Sequence, residues 1–246
     1  MEVSPLPAQE IRLEGANDEA VVLVHGWTGH PLHWRPIATT LNEAGYTVVA
    51  PLIAGHGTTV EKFDTSTASE WIESVERSIS TVADRRRIHL AGLSMGGAIS
   101  ILLAGPTAAS TITTINTPVL VRNPRIYTAP VLGLFRDRVS FEPSSPPDPG
   151  FPTVWEGYES VDIHSVNRLL AITVRAYRAA RRLRRPSLVI QSRTDLTVHP
   201  RSGPLLASAL GARLVWLDDA SHNAIIDTSR LQIAELILER ITTTDQ

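Results

Sequence analysis

One stretch constrains this chain more than any other. From Arg87 to Ala98 it reads Arg-Ile-His-Leu-Ala-Gly-Leu-Ser-Met-Gly-Gly-Ala. It opens as an apolar, strand-like run, Ile88-His89-Leu90-Ala91. It then makes Gly92-Leu93-Ser94-Met95-Gly96 and turns helix-friendly from Gly97 to Ala104. A strand that passes straight into a helix around a serine puts that serine in a strained backbone conformation, with its hydroxyl exposed above the sheet edge. Gly92 and Gly96 leave room for neighbouring backbone to pass close by. The helix that follows aims its free N–H groups, the positive end of its dipole, at the same place.

Taken alone, a Gly-x-Ser-x-Gly run is compatible with a flexible turn. With a strand before it and a helix after it, it has the pattern of a nucleophile elbow. The rest of the chain supplies a sheet for such an elbow. Ile11-Arg12-Leu13 alternates as an edge strand does. Ala20-Val21-Val22-Leu23-Val24 is apolar on both faces, as befits the middle of a covered sheet, and it ends at His25-Gly26. Trp34 to Ala44 reads as a helix closed by Gly45, and Tyr46 to Ala50 as a strand stopped by Pro51. Pro51 to Thr59 is a Gly-rich loop. Ser66 or Thr67 caps a helix expected to run to about Ala83, with Trp71, Val75, Ile79 and Val82 inward. Thr111 to Ile115 is a further strand, ended by Pro118.

Strand and helix alternate through this half, which implies a parallel sheet with helices on both faces and a ligand site at the carboxyl ends of the strands. The rhythm then breaks. Glu142 to Pro152 is too rich in proline for regular structure, and Ile163 to Arg185 reads as one long helix with Arg181, Arg182, Arg184 and Arg185 at its end. Residues 119–185 are therefore expected to be a cap inserted between 1–118 and 186–246, which form the core. The alternation resumes with a strand at Ser187 to Gln191, a helix at Pro200 to Leu210, a strand at Arg213 to Leu217 and a closing helix from about Ser229 to Ile241.

Composition removes several classes of function. The chain has 246 residues, enough for one α/β domain with an insertion. It has no cysteine, so disulfides, thiolate metal sites and a cysteine nucleophile are excluded. The net charge of −2, with arginines scattered, makes no electrostatic case for nucleic acid. No apolar run approaches a membrane span, and Met1 to Glu10 lacks the basic and apolar regions of a signal peptide, so the expected location is cytoplasmic. No cofactor and no metal are expected.

A serine hydroxyl needs a base to take its proton, and the base needs an acid to orient it. The expected chain order on a sheet of this kind is serine, acid, histidine. Asp195 and His222 follow Ser94 in that order, each in a loop just after a strand, on the same sheet edge as the elbow. Among the other histidines, His25 and His56 stand beside glycines and read as loop holders. His199, beside Asp195, is the strongest competitor for the base. Asp218, Asp219 and Asp227 compete for the acid. The oxyanion needs two N–H donors. These are expected to be the amides of Met95, which follows the nucleophile, and Trp27, which follows Gly26. Trp27, Leu169 and Ile172 are expected to line the substrate pocket.

These residues resemble those of the α/β-hydrolase-fold carboxylesterases, particularly the small bacterial carboxylesterases and the similar monoacylglycerol lipases. The matching pieces are Leu23-Val24-His25-Gly26-Trp27-Thr28-Gly29, Pro51 with Gly55-His56-Gly57, Ala91-Gly92-Leu93-Ser94-Met95-Gly96-Gly97, Asp195 and Ser221-His222. They span about residues 20 to 240, while the cap matches poorly. The resemblance implies an α/β-hydrolase fold, the triad Ser94, Asp195 and His222, and an oxyanion hole at Trp27 and Met95. It implies a small-molecule ester substrate with short- to medium-chain acyl groups. A thioesterase, an amidase or lactonase, or an acyltransferase would use the same triad. A cofactor-free oxygenase or lyase, or a binding protein without chemistry, would keep the same fold.

Overall fold

The computed structural model describes residues 9–133, 137–140 and 157–243. In chain order its elements are β1 (Ile11–Leu13), β2 (Glu19–Val24), α1 (Arg35–Glu43), β3 (Thr47–Ala50), α2 (Val60–Thr65), α3 (Ala68–Ser80), β4 (Arg87–Leu93), α4 (Met95–Ala104) and β5 (Thr111–Ile115). There follow α5 (Ala129–Leu132), β6 (Arg138–Ser140), β7 (Ser160–Asp162), α6 (Ile163–Ala180), β8 (Ser187–Ser192), α7 (Ser202–Leu210), β9 (Arg213–Leu217) and α8 (Arg230–Thr242). Seven strands form one sheet in the order β1-β3-β2-β4-β5-β8-β9. All neighbours are parallel except β1, which closes one edge antiparallel to β3.

The apolar runs of the central strands have a direct physical cause. Successive side chains of a strand point to opposite faces. Val22 and Val24 pack on one side with Trp71, Val75, Ala98, Ile99 and Leu206, from α3, α4 and α7. Val21 and Leu23 pack on the other with Ile37, Leu41, Ile233 and Ile237, from α1 and α8. Both faces are covered, so no position in β2 is free for a polar outward residue except at its start, Glu19. That carboxylate is buried among Arg86, Arg87 and His89, and its pKa is lowered against the cost of burial by the hydrogen bonds of Arg87 and His89.

Local signals place several helix ends. Thr67, not Ser66, caps α3. Its hydroxyl accepts from Glu70 N at 3.2 Å while the Glu70 carboxylate accepts from Thr67 N at 2.7 Å, a reciprocal capping box. Ser66 instead accepts from the Trp71 indole at 2.7 Å. Two helices stop earlier than the sequence suggests. The helix α3 ends at Ser80, short of Ala83, and α6 ends at Ala180, short of Arg185. Pro186 biases Arg185 away from the helical region, and Arg184 folds back to donate to the carbonyls of Arg181 and Leu183.

The described residues between β5 and β8 fall in two parts. The first part holds α5 and the antiparallel strand pair β6–β7, with β7 against α2, and Val121 bridges Val198. The short α2 anchors this part. Asp64 accepts from Asp162 N at 2.8 Å and from Arg138 at 2.7 Å, and its carbonyl accepts from Arg168 at 2.8 Å. The second part, α6, lies against α4 and α7. Ile172, expected to be a pocket wall, has 0% exposure inside the core cluster with Ala98 and Leu206, and Leu169 is partly buried against the same cluster. The proline-rich run Glu142 to Pro152 lies outside the described residues. Among the described residues, no helix is long and apolar enough to cross a membrane.

Truncation of a side chain in that packed position leaves a cavity. Ile172→Ala is expected to lower the unfolding free energy by about 2–5 kcal/mol, read by urea denaturation. A pocket-wall residue would instead leave stability near wild type and shift only substrate affinity.

Candidate active site

Ser94 stands between β4 and α4 at φ 53° and ψ −119°. A non-glycine residue at positive φ is strained, and here the surroundings hold it. Its N–H donates to Ile115 O at 2.8 Å, and its carbonyl accepts from Gly97 N and Ala98 N at 3.1 and 3.2 Å. The turn also requires close backbone approach. A Cβ on Gly92 would sit 2.3 Å from the Gly96 carbonyl carbon, and one on Gly96 would sit 2.1 Å from Val24 O. Strand, elbow and the end of β2 are thus pressed together without intervening side chains. Ser94 as a residue is 9% exposed, and Gly26 faces it with room to spare, since a Cβ on Gly26 would sit 3.5 Å from the Ser94 Cβ.

The loop after β2 is shaped by a second strained residue. Gly29 N donates to Gly26 O at 3.0 Å, closing a turn over Trp27 and Thr28, and Thr28 has φ 58°. Positive φ at that position suits glycine or asparagine, so a β-branched threonine there is unusual. His25 braces the turn from below. Its Nε2 accepts from Ile53 N at 3.3 Å, which leaves Nδ1 to donate to Gly26 O at 2.9 Å. His56 Nδ1 lies 3.0 Å from Ala54 O, and its ring packs against His25, Phe63 and Trp71. Trp27 sets its ring edge-on to Phe63 at 6.0 Å. Met95 is the first residue of α4, where N–H groups have no intrahelical acceptor.

Asp195 and His222 come together although 27 residues separate them. His222 Nδ1 lies 2.8 Å from Asp195 Oδ2. The carboxylate is wholly buried, and Oδ1 accepts from Thr197 N at 2.7 Å and Val198 N at 2.8 Å. Because the carboxylate accepts at Nδ1, the imidazole keeps Nε2 for another partner. Further bonds hold both loops. Arg122 donates to Asp195 O at 3.0 Å, and Thr194 Oγ1 donates to Ala220 O at 2.8 Å. Asp227, a competitor for the acid, is a loop brace that accepts from Ser221 N and Ser229 N, both at 2.8 Å. Asp218 pairs with Arg193 and is exposed. His199 accepts from Arg201 N at 3.1 Å, at the start of α7.

One residue of this region had drawn no attention in the sequence. Asn116, just past β5, is wholly buried, and it donates to the carbonyls of Ser221 and His222 at 3.1 and 2.9 Å. A lone asparagine after a strand carries no motif. Its positive φ of 46° is a property of the folded chain.

The parallel register explains the gathering. Val24 pairs with Gly92, Leu93 with Ile115, Ile115 with Ile190, and Ser192 with Leu217. The strands therefore end side by side, and the residues that follow them meet at one edge.

A family profile described as "Alpha/beta hydrolase family" matches residues 21–236. The thermostable monoacylglycerol lipase of Bacillus sp. (strain H-257) is 31% identical over 89% of this chain and 88% of its own. The carboxylesterase of Bacillus subtilis (strain 168) is 24% identical over 87% of this chain and 88% of its own. Among solved structures, one from work on LipS and LipT, two metagenome-derived lipolytic enzymes, covers 98% of this chain and 100% of its own. It has a TM-score of 0.88 and 29% identity.

The histidines under the loop make acid stability a measurable consequence. Burial lowers the pKa of His25 well below the ordinary value and that of His56 to about 4; His30 also falls to about 4, through partial burial and then the charge of His33. These groups are neutral in the fold but bind protons near pH 6.5 when unfolded. Their contribution is therefore full above about pH 6.5 and is lost as the pH falls toward 4. Urea midpoints should drop between pH 7 and pH 4.5, and His56→Gln should lessen that drop.

Proposed function

This chain belongs to the alpha/beta hydrolase family, and from that premise we propose that it is a serine hydrolase of the lipase and esterase type. The substrates proposed are carboxylic esters with short- to medium-chain acyl groups, monoacylglycerols among them. The observation that carries the reading is the 2.8 Å contact of His222 Nδ1 with the buried Asp195 carboxylate, at the sheet edge where Ser94 turns into α4. The likeness to a named monoacylglycerol lipase and a named carboxylesterase supports the substrate class.

Under this reading, His222 Nε2 takes the Ser94 proton as the hydroxyl oxygen attacks the ester carbonyl. Asp195 holds the ring in the tautomer that leaves Nε2 free and stabilises the imidazolium that forms. The amides of Trp27 and Met95 donate to the oxyanion of the tetrahedral intermediate. Each such donor, removed, costs roughly 3 kcal/mol of transition-state stabilisation. His222 then protonates the departing alcohol, leaving the acyl group on Ser94. Water, deprotonated by the same imidazole, attacks the acyl-enzyme and releases the carboxylic acid. The strained turns at Thr28 and Ser94 set both amides before substrate arrives, so little reorganisation is needed during the reaction. Leu169 and Trp27 are proposed as apolar walls for the acyl group.

Turnover of a short p-nitrophenyl ester tests this. Ser94→Ala is expected to lower kcat by roughly 10⁶-fold and to abolish labelling by a fluorophosphonate, with the fold intact by circular dichroism. Asp195→Asn is expected to lose roughly 10⁴-fold, because the tautomer is wrong. Retained turnover in Ser94→Ala would sink the reading. A matched panel of ester, thioester and amide substrates tests the bond preference, with the ester expected to turn over fastest.

A further inference from the structure

The four hydrogen-bonding positions of the Asn116 side chain are all filled. Nδ2 donates to Ser221 O at 3.1 Å and His222 O at 2.9 Å. Oδ1 accepts from Ser192 N at 2.7 Å and from the Gln191 side chain at 3.2 Å. Only one orientation of the carboxamide satisfies this set, since the reverse would aim oxygen at two carbonyls. Its backbone N–H donates to Ile190 O at 3.0 Å, and the residue before it, Ile115, accepts the N–H of Ser94.

Asn116 therefore joins three strand ends. Through Ile115 it is one residue from the group that anchors the nucleophile's amide. Through Oδ1 it holds the end of β8, the strand that leads to Asp195. Through Nδ2 it holds the backbone of the histidine itself. The bond to Asp195 restrains the imidazole at one nitrogen only, and a ring held at a single point still pivots. A tether on the carbonyl of His222 restrains the other end, nearest the Cα.

We propose that Asn116 is a positioning residue for the reaction, holding the His222 backbone so that the imidazole stays aimed at Ser94. The proposal rests on the reading of Ser94, Asp195 and His222 given above. Asn116 touches neither substrate nor the reacting atoms. Its effect is expected on the rate of attack and not on substrate binding. A misplacement of about 1 Å in such a site costs on the order of 100-fold in rate.

Two variants of the full chain test this. Asn116→Asp keeps the shape but replaces the amide nitrogen and its two N–H donors by one oxygen facing two carbonyls. Asn116→Gly removes the whole side chain and suits a positive φ, so it carries the test if the first variant fails to fold. With p-nitrophenyl esters, each folded variant is expected to lose roughly 100-fold in kcat with KM little changed, and fluorophosphonate labelling of Ser94 should slow by a similar factor. A residue that only supports the fold would lower the melting temperature and leave kcat and labelling rate near wild type. That outcome, or a loss confined to KM, overturns the proposal. His222→Ala, measured alongside, separates the two readings. If it stays active, the assignment of the base falls. If it is inactive while the Asn116 variants match wild type, only the present proposal falls.

Discussion

At the elbow, backbone approaches backbone more closely than any side chain permits. A Cβ on Gly96 would collide with Val24 O and His25 O, and one on Gly92 with the Gly96 carbonyl. This contact brings the end of β2 against the start of α4. It brings Gly26, which opens the turn at Trp27, near Ser94 and the start of α4. Strain at Ser94 and Thr28 is tolerated because the covered core on both sheet faces holds these segments in place. The same packing leaves Ser94 9% exposed as a residue.

The other half of the site depends on register. Parallel strands paired without a slip end at the same height, and a shift of one residue would reverse every side chain between the two core clusters. The apolar run Val21 to Val24 fills both clusters, and the pairing of the strands does more than pack them. The registers of β5 with β8 and of β8 with β9 bring together the loops that follow these strands. There, hydrogen bonds donated by Asn116, Thr194 and Arg122 and accepted by Asp227 turn loop backbone into a fixed frame for Asp195 and His222.

Much of this was legible beforehand. The strands at Arg213 to Leu217 and Thr111 to Ile115 are found where expected, because β-branched and apolar runs between turn residues carry their own signal. Ser94, Asp195 and His222 stood out because each follows a strand in a set chain order. Other features had no local signal. The short α2 has too few residues for a period, yet its Asp64 anchors the β6–β7 hairpin. Ile172 reads as apolar from any angle. Only the docking of α6 on α4 decides that it lies in the core.

The sequence by itself determined the sheet, its two buried faces and the identity of the residues that follow each strand, because these depend on periodicity and on chain-local turn chemistry. Tertiary structure decided how those residues meet. The contact of Asp195 with His222 spans 27 positions and the hold of Asn116 on His222 spans 106. No local pattern encodes such distances. They are set by strand order and by the close backbone approach at the elbow, which exist only once the sheet has closed.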